Sequence, residues 1–211
     1  MAKKTSSSRW LARQKRDPYV KQAQEGGWRS RAVFKLEQID RRDRLLRPGQ
    51  RIVDLGAAPG GWCQYAARRL NGQGTIVGLD ILPIEPLAKV TFLQGDFLES
   101  EILGRLSETL AGEPLDLVLS DLAPNFSGIR IADSARSFEL AELARDFAVE
   151  WLRPDGAFLV KVFEGAELPD FRASLRQSFR QVAVRKPEAS RQDSREIYLL
   201  ARGLQKTDNV N

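Results

Sequence analysis

A lysine sits inside an otherwise apolar run, Phe158-Leu159-Val160-Lys161-Val162-Phe163. An ammonium group there is costly unless its head reaches a cleft or a carboxylate. The structural alternative is that Lys161 snorkels to solvent. Two carboxylates and a second lysine stand in comparable settings. Asp121 ends Leu117-Val118-Leu119-Ser120, Glu196 precedes Ile197-Tyr198-Leu199-Leu200, and Lys35 lies in an early amphipathic segment. Together they form a Lys, Asp, Lys, Glu set that could converge at the open edge of a sheet, although Lys35 and Glu196 taken singly also read as ordinary surface charges. The chain has no histidine, which removes the commonest general base and the commonest metal ligand. Proton chemistry must then rest on Lys, Asp, Glu or Tyr. The single cysteine, Cys63, excludes an intrachain disulfide and a cysteine-based metal site, so no metal is expected and a reducing cytoplasm fits.

A second group of residues suits a nucleoside. Val53-Asp54-Leu55-Gly56-Ala57-Ala58-Pro59-Gly60-Gly61-Trp62 lies where an open α/β sheet binds its ligand, at the carboxyl end of the first strand. Glycines let the backbone approach a ligand closely, and Pro59 stiffens the turn. Asp80 follows Gly60 by about the interval expected of a ribose-hydroxyl acceptor. Asp96, in Gln94-Gly95-Asp96-Phe97, is placed to read an adenine amino group, with plain turn chemistry as the alternative. Asp54 would suit a group that supports the turn and faces a cationic cofactor end. A glycine turn plus an acid would equally serve a nicotinamide dinucleotide, but the spacing is not G-x-G-x-x-G.

The elements that must position these residues alternate along the chain. Residues 30–46 carry Val33, Leu36 and Ile39 on one face and end at Arg47-Pro48-Gly49, which predicts an amphipathic helix. Strands are expected at 51–55, 75–79, 90–93, 115–119, 157–163, 182–184 and 197–201. Helices are expected at 62–70, 100–110, 134–152 and 167–179, the third closed by Arg153-Pro154-Asp155-Gly156. Alternating strands and helices imply a mostly parallel sheet with helices on both faces. The last two strands are separated by a loop without a helix, which predicts an antiparallel pair.

The chain's 211 residues allow one well-cored domain. No apolar run reaches the roughly 20 residues of a membrane span, and the N-terminus lacks the apolar core of a secretory signal. Charge is unevenly placed. Lys3, Lys4, Arg9, Arg13, Lys15, Arg16, Lys21, Arg29, Arg31 and Lys35 face only Asp17 and Glu25 in the first 35 residues, whereas the whole chain nets +5. A basic arm ahead of a slightly acidic body suggests a polyanionic partner, most simply nucleic acid, or else a solvated tail. Residues 1–28 thus read as a basic RNA-binding arm, 29–203 as the catalytic domain, and 204–211 as a polar tail. Trp10 and Trp28 could stack on bases or anchor the arm.

These segments closely resemble the FtsJ-type family of heat-shock-induced methyltransferases, which modify a uridine ribose in large-subunit ribosomal RNA. The matching stretches are SSSRW at 6–10, RSRAVFKL at 29–36, VDLGAAPGGWCQY at 53–65, FLQGDF at 92–97, SDLAPNFSG at 120–128, FLVKVFEG at 158–165 and VRKPEASRQDSREIYLLA at 184–201. They cover nearly the whole chain and fall in the family's order. The resemblance implies a Rossmann-like seven-stranded class I methyltransferase sheet with an antiparallel last strand, and S-adenosylmethionine as cofactor. It makes Lys35, Asp121, Lys161 and Glu196 the catalytic tetrad. It also assigns Gly60, Trp62, Asp80, Asp96 and Asp121 to the cofactor. The substrate implied is large-subunit ribosomal RNA or an assembling large subunit, met by a cytoplasmic monomer. Gly128–Ser137 and the tail after Gly203 match least and carry no role.

Methyl transfer from a sulfonium is an in-line displacement, so holding the 2′-oxygen behind the methyl carbon should supply much of the acceleration. Lys161 is the group expected to meet the hydroxyl proton, in one of two ways. It could act as a base, or it could stay protonated and orient the hydroxyl while the proton leaves late to a carboxylate or water. RNA contacts are expected from the arm and from Arg185, Lys186, Arg191 and Arg195. Rival readings are a 2′-O-methyltransferase acting on transfer RNA or a messenger cap, a non-catalytic assembly factor that keeps the fold, and a nicotinamide oxidoreductase.

Overall fold

The computed structural model describes residues 17–124, 128, 130–191 and 194–205, apart from the side chains of 130–132. Its elements run α1 (Pro18–Glu25), α2 (Val33–Asp43), β1 (Arg51–Leu55), α3 (Gly61–Leu70), β2 (Thr75–Asp80), β3 (Thr91–Gln94), α4 (Ser100–Leu110), β4 (Leu115–Ser120), α5 (Arg130–Trp151), β5 (Leu152–Phe163), α6 (Leu168–Ser178), β6 (Phe179–Arg185) and β7 (Glu196–Leu204). The seven strands form one sheet in the order β3-β2-β1-β4-β5-β7-β6. β1 pairs in parallel with β2 on one side and β4 on the other, and β5 continues the parallel set. β7 inserts between β5 and β6 and is antiparallel to both. This is the Rossmann-like class I methyltransferase sheet, and the reversed strand is the last one.

Side-chain alternation divides the core into two layers. Val53, Leu55, Phe158, Val160 and Val162 face α4, α5 and α6, where Leu106, Phe138, Phe147 and Phe171 meet them. Ile52, Leu159, Tyr198 and Leu200 face the other layer, built by Leu36 of α2 and Trp62, Tyr65 and Ala66 of α3. That parity matters for chemistry. Lys161 lies two residues beyond Leu159, and Glu196 two before Tyr198, so both polar side chains point to the α2–α3 face. They approach Lys35 there and do not enter the larger apolar core.

Several boundaries differ from the expectation, among them the helix expected over 30–46, which spans Val33–Asp43, and the strand expected over 182–184, which spans Phe179–Arg185. The helix over 134–152 begins at Arg130, ends at Trp151, and β5 starts at once with Leu152. The expected Arg153–Gly156 turn is instead a register shift inside the strand, where Leu115 pairs with Leu152 but Leu117 with Ala157. Arg153 is ion-paired with buried Asp116 there, which favours a bulge over a free turn. Within the 1–28 arm, residues 18–25 are helical: Asp17 caps the helix by accepting from the Tyr19 N–H at 3.0 Å. This helix docks on the body through buried Ala23 and the Tyr19–Phe34 ring contact. At the other end Leu204, counted with the polar tail, is buried at the close of β7. Residues 1–16, including Trp10, lie outside the described residues.

Candidate active site

β1 delivers the chain into the glycine turn at its carboxyl end. Gly56 takes φ 79° and Gly60 φ 99°, values that L side chains rarely adopt. Gly56 is also pinned sterically, since a Cβ there would lie 2.8 Å from the Leu122 nitrogen. The turn is thereby pressed against the segment that follows β4, and Asp121 becomes its neighbour. Gly60 caps α3, whose first N–H groups lack intrahelical partners.

Beside this turn lies a cavity of about 540 Å³ lined by, among others, Asp80, Asp96, Asp121, Ile81, Leu82 and Leu98. Asp80 is fixed by accepting the Ala58 N–H at 2.8 Å and the Leu82 N–H at 2.9 Å. Asp96 accepts the Leu98 N–H at 3.0 Å. The apolar residues Ile81, Leu82 and Leu98 are each more than half exposed, unusual for side chains of this kind clustered in one place. Arg136, Glu139 and Leu140 of α5 form further wall, which the sequence had not singled out. Gly60 and Trp62 do not line this cavity. Trp62 is buried, donates its indole N–H to the Ala32 carbonyl at 2.8 Å, and packs on Tyr198.

Beneath the turn, Asp54 is almost fully buried. Its Oδ2 accepts from the Cys63 thiol at 3.2 Å, while Oδ1 has no hydrogen-bond partner among the described residues. Burial pushes its carboxyl up to about 8, the thiol hydrogen bond opposing and the charges of Asp121 and Asp80 adding to the rise. The same burial, with Asp54 alongside, raises the Cys63 thiol.

Where Asp121 lines the cavity, it meets Lys161 of β5, and Glu196 of β7 and Lys35 of α2 lie next to them. Lys161, 7% exposed, donates to the Asp121 carbonyl at 2.7 Å and lies 3.2 Å from Asp121 Oδ1. Lys35 holds both oxygens of Glu196, at 2.7 and 2.8 Å. The two pairs are joined by Tyr198, fully buried, whose hydroxyl donates to Asp121 Oδ1 at 3.0 Å and approaches Glu196 Oε1 at 3.5 Å. Ser190 adds a hydrogen bond to Glu196 Oε1 at 3.0 Å, and Lys186 ties down the Ser194 and Glu196 carbonyls. Burial, then the Asp121 and Glu196 charges, raises the Tyr198 phenol well above its ordinary range, so it stays a donor. Sequence reasoning had missed Tyr198 and Ser190. The period-two register that places Tyr198 opposite Lys161 was the signal available for the first; for Ser190, in a loop, there was none.

The residues present fit S-adenosylmethionine. The cavity has the size of a small-molecule site. It offers carboxylate acceptors for ribose hydroxyls at Asp80, a polar group at Asp96 and exposed apolar side chains for a base, and buried Asp54, whose Oδ1 has no hydrogen-bond partner among the described residues, lies beside the turn.

Comparison with known proteins agrees with this geometry. The family model described as FtsJ-like methyltransferase matches residues 28–204. A ribosomal RNA large subunit methyltransferase E from Thiobacillus denitrificans is 54% identical over 205 residues, covering 97% of this chain and 93% of that one. The protein of the same name from Pseudomonas aeruginosa is 49% identical over 203 residues, 96% and 98% covered. A crystal structure of a Plasmodium falciparum protein described as a ribosomal RNA methyltransferase superposes with TM-score 0.77 at 29% identity, over 84% of this chain and 98% of that one.

Proposed function

The chain belongs to the FtsJ-like methyltransferase family, and from that premise we propose that it methylates the 2′-hydroxyl of a uridine ribose in large-subunit ribosomal RNA. The observation that carries the reading is the Lys161 amine, bonded to Asp121 at the edge of a nucleoside-sized cavity. The names of its relatives supply the RNA class. S-adenosylmethionine, the family's methyl donor, supplies an electrophilic methyl group when bound. Asp80 would hold its ribose, Asp96 its base, and the turn with Gly60 and Trp62 its other end through backbone groups.

The chain's own residues then handle the acceptor. Asp121 fixes Lys161 through its carbonyl and one carboxylate oxygen, which leaves one direction of the amine for the attacking hydroxyl. Lys35 is neutralised by Glu196 and so does not repel a second ammonium nearby. This arrangement supports Lys161 as an ammonium that orients the 2′-oxygen and steadies the charge developing on it, with Asp121 and water as routes for the departing proton. Tyr198 transmits the position of one pair to the other. RNA would be held by the basic arm and by the loop before β7, which Arg31 anchors at the Ala189 carbonyl and which carries Arg191 close to Asp17. The reading carries with it a monomer in the cytoplasm, a setting that suits the free, buried Cys63. Among the described residues no helix is long and apolar enough to cross a membrane.

The test is to map ribose methylation in cellular RNA after deletion of the gene. One uridine of the large-subunit RNA should lose its methyl group and regain it with the wild-type gene but not with Lys161→Ala. Loss confined to transfer RNA or to a messenger cap would overturn the substrate, and no loss anywhere would favour an assembly factor.

A further inference from the structure

One wall of the cavity has no secondary structure to hold it. Parallel β2 and β3 are joined by residues 81–90, Ile81-Leu82-Pro83-Ile84-Glu85-Pro86-Leu87-Ala88-Lys89-Val90, with no helix between them, although such crossovers usually carry one. Pro83 and Pro86 have no N–H to give, and the segment's carbonyls need partners from elsewhere. Gln94 Nε2 serves the Ile81 carbonyl at 3.2 Å, and Arg29 serves the two in the middle of the segment. Its Nη1 donates to the Glu85 carbonyl at 2.6 Å and its Nη2 to the Pro86 carbonyl at 2.8 Å. Nη1 also reaches the Pro59 carbonyl, in the glycine turn, at 3.3 Å. The packing is close: a Cβ on Gly60 would stand 2.8 Å from Arg29 Nη1 and 3.2 Å from the Ile84 side chain.

Arg29 is in turn held at its root. Its own N–H donates to Gln64 Oε1 at 3.0 Å, and Gln64 Nε2 donates to the Gly27 carbonyl at 2.9 Å. Trp28, the preceding residue, lies 3.8 Å beneath the Arg68 guanidinium. Both Gln64 and Arg68 belong to α3, the helix that the glycine turn opens. The guanidinium therefore ties two segments distant in sequence, the glycine turn and the 81–90 connection, to its own through backbone oxygens.

We infer that Arg29 is a positioning residue for the cofactor: by tying the 81–90 connection to the glycine turn it sets the place of Ile81 and Leu82, the exposed apolar side chains beside Asp80. Arg29 does not itself line the cavity, and the inference rests on reading that cavity as the cofactor site.

The test uses the full-length protein with S-adenosylhomocysteine as probe, comparing wild type, Asp80→Ala, Arg29→Ala and Arg29→Lys by calorimetry. Asp80→Ala reports on the site and Arg29→Ala on the tie. Arg29→Ala should weaken binding by about tenfold, because the hydrogen bonds to three carbonyls go with the side chain, and Arg29→Lys should recover part of it. The KM for S-adenosylmethionine should rise with kcat at saturating cofactor kept within about twofold. Hydrogen exchange should quicken over 81–90 and not elsewhere. An affinity of Arg29→Ala within about twofold of wild type would overturn the inference, as would faster exchange throughout the chain with kcat falling alongside. Wild type failing to bind the probe, or Asp80→Ala binding normally, would instead overturn the site reading on which it stands.

Discussion

At the scale of single residues, the site is a set of buried charges that neutralise one another, and each can be tested by removing one partner. Tyr198 is the shared member. Tyr198→Phe keeps the ring on Trp62 but removes the hydrogen bond to Asp121 Oδ1, so kcat should fall about tenfold with cofactor affinity little changed. Steady-state kinetics beside calorimetry checks this. Asp54 makes a different prediction. Its carboxyl titrates near 8 in the folded chain against an ordinary value of 3.8, so between those values the native state holds a proton that the unfolded state has lost. The contribution to stability is therefore fully present below about pH 4 and is lost as pH rises toward about 8. Asp54→Asn stays neutral throughout and should flatten the decline of the melting temperature between about pH 5 and 8; parallel slopes for the two proteins would contradict it. Asp121, Lys161 and Glu196 stood out in the sequence because each interrupts or caps an apolar strand, whereas Lys35, on an amphipathic helix, reads singly as a surface charge and owes its place in the catalytic set to the family resemblance. Tyr198 was not, because an aromatic residue in a strand is what packing alone would choose.

At the scale of elements, the alternation of strands and helices was readable and the ends were not. Periodicity marks the middle of a segment, whereas an end is decided by contacts made after folding. Arg153-Pro154-Asp155-Gly156 has the composition of a turn, yet the Arg153–Asp116 pair and the continuing ladder carry it as a bulge within β5. Helix α1 was hidden in a stretch read for its charge. Its anchoring makes a sharper truncation possible: removing residues 1–16 spares the Asp17 cap and the Asp17–Arg31 pair at 2.9 Å. That variant should keep its melting temperature and its affinity for S-adenosylhomocysteine. It should bind ribosomal RNA more weakly and with a shallower dependence of log K on log salt, since every phosphate the arm no longer neutralises takes about 0.9 from the slope on duplex. Equal slopes for the truncated and full-length proteins would remove the arm from RNA binding.

At the scale of the whole molecule, the sheet order brings the carboxyl ends of β1, β2, β4 and β5 to one side and lays the start of antiparallel β7 beside them. The cavity proposed for the cofactor is lined from the ends of β1, β2, β3 and β4, whereas Lys161 and Glu196 come from β5 and β7 and Lys35 from α2. Asp121, at the junction, lines the cavity and bonds Lys161. The place of the glycine turn at the carboxyl end of β1 was foreseeable from the sequence, and the sheet from the family resemblance; the cavity wall from α5 and the Arg29 tie were not, because both depend on how distant segments pack. The most direct check is single-turnover methyl transfer by Lys161→Ala on large-subunit RNA or isolated subunits, with S-adenosylhomocysteine affinity measured on the same preparation. Transfer should fall by about a thousandfold while affinity stays within about threefold of wild type; transfer within about tenfold of the wild-type rate would contradict the account.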